Sequence, residues 1–276
     1  MLVLIKGAGD LASGVAVRLH RAGIKTIMTD IAQPTVIRRT VSFAQAVYDG
    51  TTKVEDIEGK KAENAKDALA ILEEGKIPVI VDPACAILRE IQFDAVVDAI
   101  LAKRNINTKI TDGPIVIALG PGFTAGVDCH AVIETQRGHD LGRVLLSGQP
   151  APDTGIPGLI GGYGKERVIK SPAQGSFVTT KKIGDMVAEG DEIGYILTAD
   201  GQQVPVKTVI PGVLRGILYD RLPVFTGMKI ADVDPRPVYS HCFSCSDKAR
   251  AVGGGVLEGI LHFATKKNPD FYQCGK

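Results

Sequence analysis

Residues 2–30 read LVLIKGAGDLASGVAVRLHRAGIKTIMTD. Leu2 to Ile5 is a short apolar run stopped by Gly7, the pattern of a strand buried on both faces. Leu11, Val15 and Leu19 then recur at helical spacing, with Arg18 and Arg21 turned away and Gly23 closing the helix. A second apolar run, Ile24 to Thr29, ends on Asp30. The stretch is a complete strand–helix–strand unit.

Its turn, Gly7-Ala8-Gly9-Asp10-Leu11-Ala12, matches the G-x-G-x-x-A form of the dinucleotide fingerprint, with Asp30 at the end of the next strand. In that motif the first glycine makes the turn and the second lets a pyrophosphate approach the backbone. The acid accepts hydrogen bonds from ribose hydroxyls. Asp10 complicates this, because a carboxylate at the helix start competes with a phosphate for the same N–H groups.

Similar runs occur at Ile77–Val81 before Asp82, Ala95–Val97 before Asp98 and Ile115–Leu119 before Gly120. A helical stretch, Asn64 to Glu74, precedes the first of them. Strands alternating with helices predict an α/β fold with a Rossmann-like, mainly parallel sheet over residues 1–165. Ligands of such sheets sit at the carboxyl ends of the strands. The expected binding edge is therefore Gly7, Gly9, Asp10, Asp30, Asp82, Gly120 and Gly122, with Asp98 nearby. The alternative is that these residues only make strand-ending turns.

Beyond residue 150 a Gly/Pro-rich connector gives way to an internal repeat. GSFVTTKKIGDMVAEGDEIGYI (175–196) aligns without gaps onto GVLRGILYDRLPVFTGMKIADV (212–233). Two halves around a shared glycine turn predict a small all-β module over 171–235. It resembles the barrel-sandwich hybrid of biotinyl and lipoyl carriers. Such carriers present a lysine between their halves, and here the tip reads Thr198-Ala199-Asp200-Gly201-Gln202. Neither biotin nor lipoate is expected. Residues 236–276 form the third expected segment, a C-terminal helix interrupted by Gly253-Gly254-Gly255. Three helical glycines cost about 1 kcal/mol each relative to alanine, which implies a close backbone contact.

Three residues are candidates for catalysis. Cys85 comes after a strand end and stands before a possible helix start, where amide dipoles would favour thiolate; its alternative is a small buried hydrophobe. Cys129 and His130 come after the glycine loop 120–126 but point to opposite faces if they lie on a strand. Cys242-Phe243-Ser244-Cys245 has redox or zinc spacing but no second pair of ligands, so no metal is expected.

Among 276 residues, 45% are hydrophobic, and 32 Lys+Arg against 31 Asp+Glu leave a formal charge of +1. That apolar share is enough for a packed core, and the balance offers no general field for nucleic acid. No apolar run is long enough to span a bilayer, and MLVLIKGAGD lacks the form of a signal peptide. Five cysteines, an odd number over a long chain, do not make a disulfide framework. These features predict a cytoplasmic protein without membrane or nucleic-acid partners; a homo-oligomer is left open.

GAGDLASGVAVRLHRAG, RRTVSFAQAVYDG, VDAILAKRN, ALGPGFTAGVDCHAVIETQRGHDLGRV, ADVDPR and SDKARAVGGGVLEGIL together resemble the selenium-dependent molybdenum hydroxylase accessory proteins (YqeB-like). The resemblance runs from end to end. It implies help in maturing a client molybdenum hydroxylase, with a pterin-type molybdenum cofactor or a dinucleotide at the sheet edge. It assigns no catalytic residue, and it implies that Cys242 but not Cys245 belongs to the family pattern. An NAD(P)-dependent oxidoreductase is the alternative, although no Tyr-x-x-x-Lys pair is present near the edge.

Overall fold

The computed structural model describes residues 1–267. The chain divides into two compact units: residues 1–34, 42–153 and from Cys245 on, and residues 35–41 with 154–244. This differs from the expected division at 165, 171–235 and 236–276, because the C-terminal helix belongs to the first unit.

The first unit is built on a nine-stranded sheet. Its elements in chain order are β1 (Leu2–Lys6), α1 (Asp10–Arg21), β2 (Lys25–Asp30), the short α2 (Ala46–Asp49), β3 (Thr51–Val54) and β4 (Ile57–Ala62). They continue with α3 (Ala65–Glu73), β5 (Ile77–Val81), β6 (Ala95–Asp98), β7 (Val116–Leu119), β8 (Ala131–Ile133) and β9 (Val144–Leu145). The strand order is β3-β4-β5-β2-β1-β6-β7-β8-β9. From β4 to β8 neighbours run parallel, while β3 and β9 are antiparallel at the two ends.

The Rossmann-like expectation is corrected on this topology. The sheet is mixed, and the crossovers from β5 to β6, β6 to β7 and β7 to β8 run through a 3-10 turn and loops rather than helices. The β3–β4 hairpin escaped the sequence reading for a physical reason. Its turn is Glu55-Asp56, with Glu55 left-handed at φ 55°, where Asn or Gly is the usual signal.

Helix α3 is capped by Asn64, whose side chain accepts from Asp67 N at 2.9 Å. It covers one face of the sheet, packing Ala68, Ile71 and Leu72 over Leu4, Ile27 and Val96. The opposite face carries α1 and the long α4 (Asp247–Lys267). The glycines of α4 explain that packing: a Cβ on Gly253 would stand 2.8 Å from the Gly14 carbonyl oxygen, and one on Gly255 would strike the Gly142 carbonyl. Nothing in the structure explains Gly254. Close approach brings the first turn of α4 beside the start of α1.

The second unit contains β10 (Val168–Lys170), β11 (Gly175–Thr179), β12 (Met186–Val187), β13 (Glu192–Leu197), β14 (Gln203–Lys207), β15 (Gly212–Ile217), β16 (Pro223–Val224) and β17 (Lys229–Asp234). They form two four-stranded antiparallel sheets, β10-β17-β15-β12 and β14-β13-β11-β16. The repeat maps β11, β12 and β13 onto β15, β16 and β17, and each copy lends its short middle strand to the other copy's sheet. The barrel-sandwich expectation is corrected to this arrangement. Strands β10 and β14, which lie outside the repeated halves, complete the sheets. Among the described residues no helix is long and apolar enough to cross a membrane.

Candidate functional site

The parallel strands align their carboxyl ends, so Gly7, Asp30, Asp82, Asp98, Gly120 and Glu134 share one edge of the first unit. The turn after β1 is locked from within. Ala8 N donates to Asp30 Oδ2 at 2.8 Å, Ile31 N donates to Asp30 Oδ1 at 2.7 Å, and the Ala8 carbonyl accepts from Ser42 Oγ at 2.7 Å and Ala44 N at 2.9 Å. Burial pushes the Asp30 carboxyl above the usual carboxylate range, against the pull of those two amides. Asp30 therefore braces the turn from inside the chain, and the Ala8 amide is spent on it.

Gly7, at φ 94°, lies against the Ala99 carbonyl, where a Cβ would be 2.9 Å from the oxygen. Gly120 and Gly122 likewise serve close packing, on Thr135 and on the Arg104 backbone, rather than an open anion nest. Asp82 Oδ2 accepts from Ile87 N at 2.9 Å. Gly9 differs, since a Cβ there would meet nothing within 4 Å. Asp10 opens α1 beside it. Asp30 thus spends both oxygens on backbone amides, and Asp10 sets a carboxylate beside the open Gly9, which counts against a ribose–pyrophosphate ligand there.

The candidate nucleophiles are shielded. Cys85 is 5% exposed and left-handed at φ 53°, its Sγ 3.6 Å from Thr29 Oγ1. The next residues, Ala86–Arg89, form a 3-10 turn of four residues, not an α-helix. Burial raises its thiol instead of the expected lowering. Cys129 is fully buried, and burial, reinforced by the Asp128 charge, pushes its thiol up to about 12. His130 Nδ1 accepts from Val116 N at 3.0 Å, and its ring meets Phe263 edge-on with centroids 5.6 Å apart. Cys242 and Cys245 are buried free thiols. Cys274 lies outside the described residues. No group of three or more His, Cys, Asp or Glu is placed to hold a metal among the described residues.

Two lysines escaped the sequence reading. Lys6 ends β1 in register with Thr29 and Asp98 on the neighbouring strands, and it is 1% exposed. Its Nζ donates to Thr108 Oγ1 at 2.6 Å and lies 3.4 Å from Asp112 Oδ2; the Thr108 hydroxyl in turn donates to Asp98 Oδ2 at 2.6 Å. The loop that supplies Thr108 and Asp112 contains left-handed Leu101 and Lys103. A lysine closing an otherwise apolar strand was the signal available for it.

Lys248 is the second residue of α4. It is half-buried and makes no hydrogen bond or ion pair among the described residues. Burial, then the nearby Arg137 charge, lowers its amine below the ordinary lysine range, while Asp10, Glu134 and Asp153 pull the other way. The start of a helix also disfavours a cation. Two of the three acids nearby are engaged elsewhere: Glu134 accepts from Gln136 N and Ala151 N, both at 2.7 Å, and Lys103 pairs with Asp153 at 2.6 Å. Arg137 grips Asp247 with both nitrogens, at 2.6 and 2.9 Å. Nothing local in the sequence marks Lys248; only the glycines of α4 hinted that this helix reaches the edge.

No family model matches the chain. It is 52% identical over 260 residues to an uncharacterized protein, YqeB, of Escherichia coli K12, an alignment covering 94% of this chain and 47% of that protein. The chain thus spans about half the length of the curated relative it matches. Among solved structures it is similar to an aspartoacylase family protein from Mesorhizobium loti (13% identity, 86% of this chain and 85% of that one, TM-score 0.27). It is also similar to a succinylglutamate desuccinylase/aspartoacylase from Rhodobacter sphaeroides (13% identity, 84% of each chain, TM-score 0.28). Likenesses this distant carry no activity over to the chain. Both the accessory-factor reading and the nicotinamide oxidoreductase reading place a phosphate-bearing ligand at the turn after β1. With both Asp30 oxygens committed to backbone amides and the Asp10 carboxylate at the helix start, both readings, and the selenium and molybdenum-cofactor roles attached to them, are withdrawn.

Proposed function

We propose that the carboxyl edge of the nine-stranded sheet is a small-molecule site whose reactive group is the Lys248 amine. One observation carries the reading: Lys248 is a desolvated lysine without a partner among the described residues, at the start of a helix and near a second cation. Each of these conditions favours the neutral amine, the form that is nucleophilic. Its natural co-reactant is a small carbonyl compound. The amine lone pair adds to the carbonyl carbon, a proton passes from nitrogen to oxygen, and loss of water leaves an imine. The open space at Gly9 offers room beside the lysine, and Asp10 stands close enough in charge to influence the proton transfers. The identity to the Escherichia coli protein supports placing the chain with YqeB-like proteins.

Reductive trapping tests this. The full chain is incubated near pH 7 with small aldehydes and 2-keto acids plus cyanoborohydride, then mapped by peptide mass spectrometry. Lys248 is expected to gain mass before the exposed lysines, and Lys248→Met to remove that early labelling. Labelling spread evenly over the surface lysines, or unchanged by the variant, overturns the reading.

A further inference from the structure

The second unit sets three arginines, Arg167 and Arg215 buried and Arg236 half-exposed, against two buried carboxylates. Arg167 Nη2 reaches both oxygens of Asp232 at 3.2 and 3.3 Å, and each side chain is 7% exposed. Arg236 holds Asp234 through Nε at 3.0 Å and Nη2 at 2.7 Å. Each carboxylate thus has its own arginine. Arg215 is the third cation. Its Nη1 lies 3.7 Å from Asp232 and 3.8 Å from Asp234, too far to hydrogen-bond, and its Nε is buried without a partner.

Arg215 makes no hydrogen bond among the described residues although its side chain is only 9% exposed. It also occupies a bulge: the pairing of β15 with β17 shifts between Leu214 and Gly216, and Arg215 is the extra residue. Bulges re-aim side chains, and they gather next to working sites. Cys242, whose thiol feels both Arg215 and Arg38, supplies no counter-charge, because burial raises it on balance and keeps it protonated near neutrality. A buried guanidinium whose donors reach no acceptor, and which shares its two carboxylates with other arginines, is costly unless an acceptor meets it.

We propose that the Arg215 bulge binds a small oxyanion, a carboxylate or phosphate group held by the guanidinium fork. Such a fork matches two oxygens of either group, whereas chloride offers no such pair.

The test is thermal unfolding of the full chain in titrations of acetate and of phosphate, with chloride at matched ionic strength as reference. The midpoint is expected to rise and saturate with at least one oxyanion beyond the chloride reference; which arm responds identifies the ligand class. Arg215→Met is expected to abolish the saturating rise. Should that variant fail to fold, Arg215→Lys, which keeps the charge and loses the fork, is expected to need at least tenfold more oxyanion for the same shift. A rise equal to that in chloride, a rise retained in Arg215→Met, or an undiminished response in Arg215→Lys overturns the site and leaves Arg215 to water.

Discussion

Lys6 and Lys248 belong to the same sheet edge and answer the problem of a buried amine in opposite ways. Lys6 is almost wholly removed from water, yet Thr108 and Asp112 receive it, and the Thr108 hydroxyl passes the link on to Asp98. Lys248 keeps more contact with water, but Glu134 and Asp153 are tied to backbone amides or to another cation, and Asp10 makes no ion pair with it. Burial by itself therefore does not make a lysine reactive. The deciding factor is whether acceptors remain to hold the ammonium form.

The largest effect that would break the comparison is expected at Lys6. Lys6→Met leaves Asp112 and the Thr108–Asp98 pair without their cation, and removing one partner of a buried pair costs about 3–5 kcal/mol. Urea unfolding measures it; a loss under about 1 kcal/mol would mean that Lys6 is no better anchored than Lys248.

Asp30 comes next. Asp30→Ala strands the Ala8 and Ile31 amides, a cost of about 1–3 kcal/mol, and Asp30→Asn, which keeps one carbonyl oxygen, should cost less. Equal losses for the two variants would show that charge, not acceptor geometry, is the turn's requirement.

The smallest change in stability is expected at Lys248, where a methionine substitution should stabilise slightly at neutral pH, because no contact is lost and the penalty on the buried charge is removed. The pH dependence is the sharper reading. The folded amine has a lowered pKa, so between that value and the ordinary lysine range the unfolded chain binds more protons. Stability then rises with pH across that window, and the folded state carries the full penalty below it. Lys248→Met should flatten this rise in unfolding midpoints measured above pH 7. An unchanged slope would place the proton uptake on another group.

Much of the framework was legible because it depends on local periodicity. The β1–α1–β2 unit, the strand ends at Asp30 and Asp98, and the two halves of the repeat all lie where spacing placed them. The β3–β4 hairpin was not, because Glu55-Asp56 carries no turn signature even though Glu55 is left-handed. The same limit misled the reading of the cysteines. Position after a strand suggested a thiolate at Cys85, but thiol acidity depends on water and charge around the sulfur, and the packed interior removes the water. The fingerprint at Gly7–Ala12 was read correctly as a turn, while its occupant was misjudged because Asp30 fills the role from inside the chain.

The sequence by itself determined which residues would alternate, which would be buried and where the chain would turn. Those are properties of neighbours a few positions apart, set by sterics and by the hydrophobic effect. Only the tertiary structure decided the state of the charges. Lys6, Lys248 and Arg215 are cations of the same sign whose local contexts do not settle their fates. Each is settled by acceptors brought from far along the chain, or withheld, and electrostatic energy depends on those distances through space rather than along the chain.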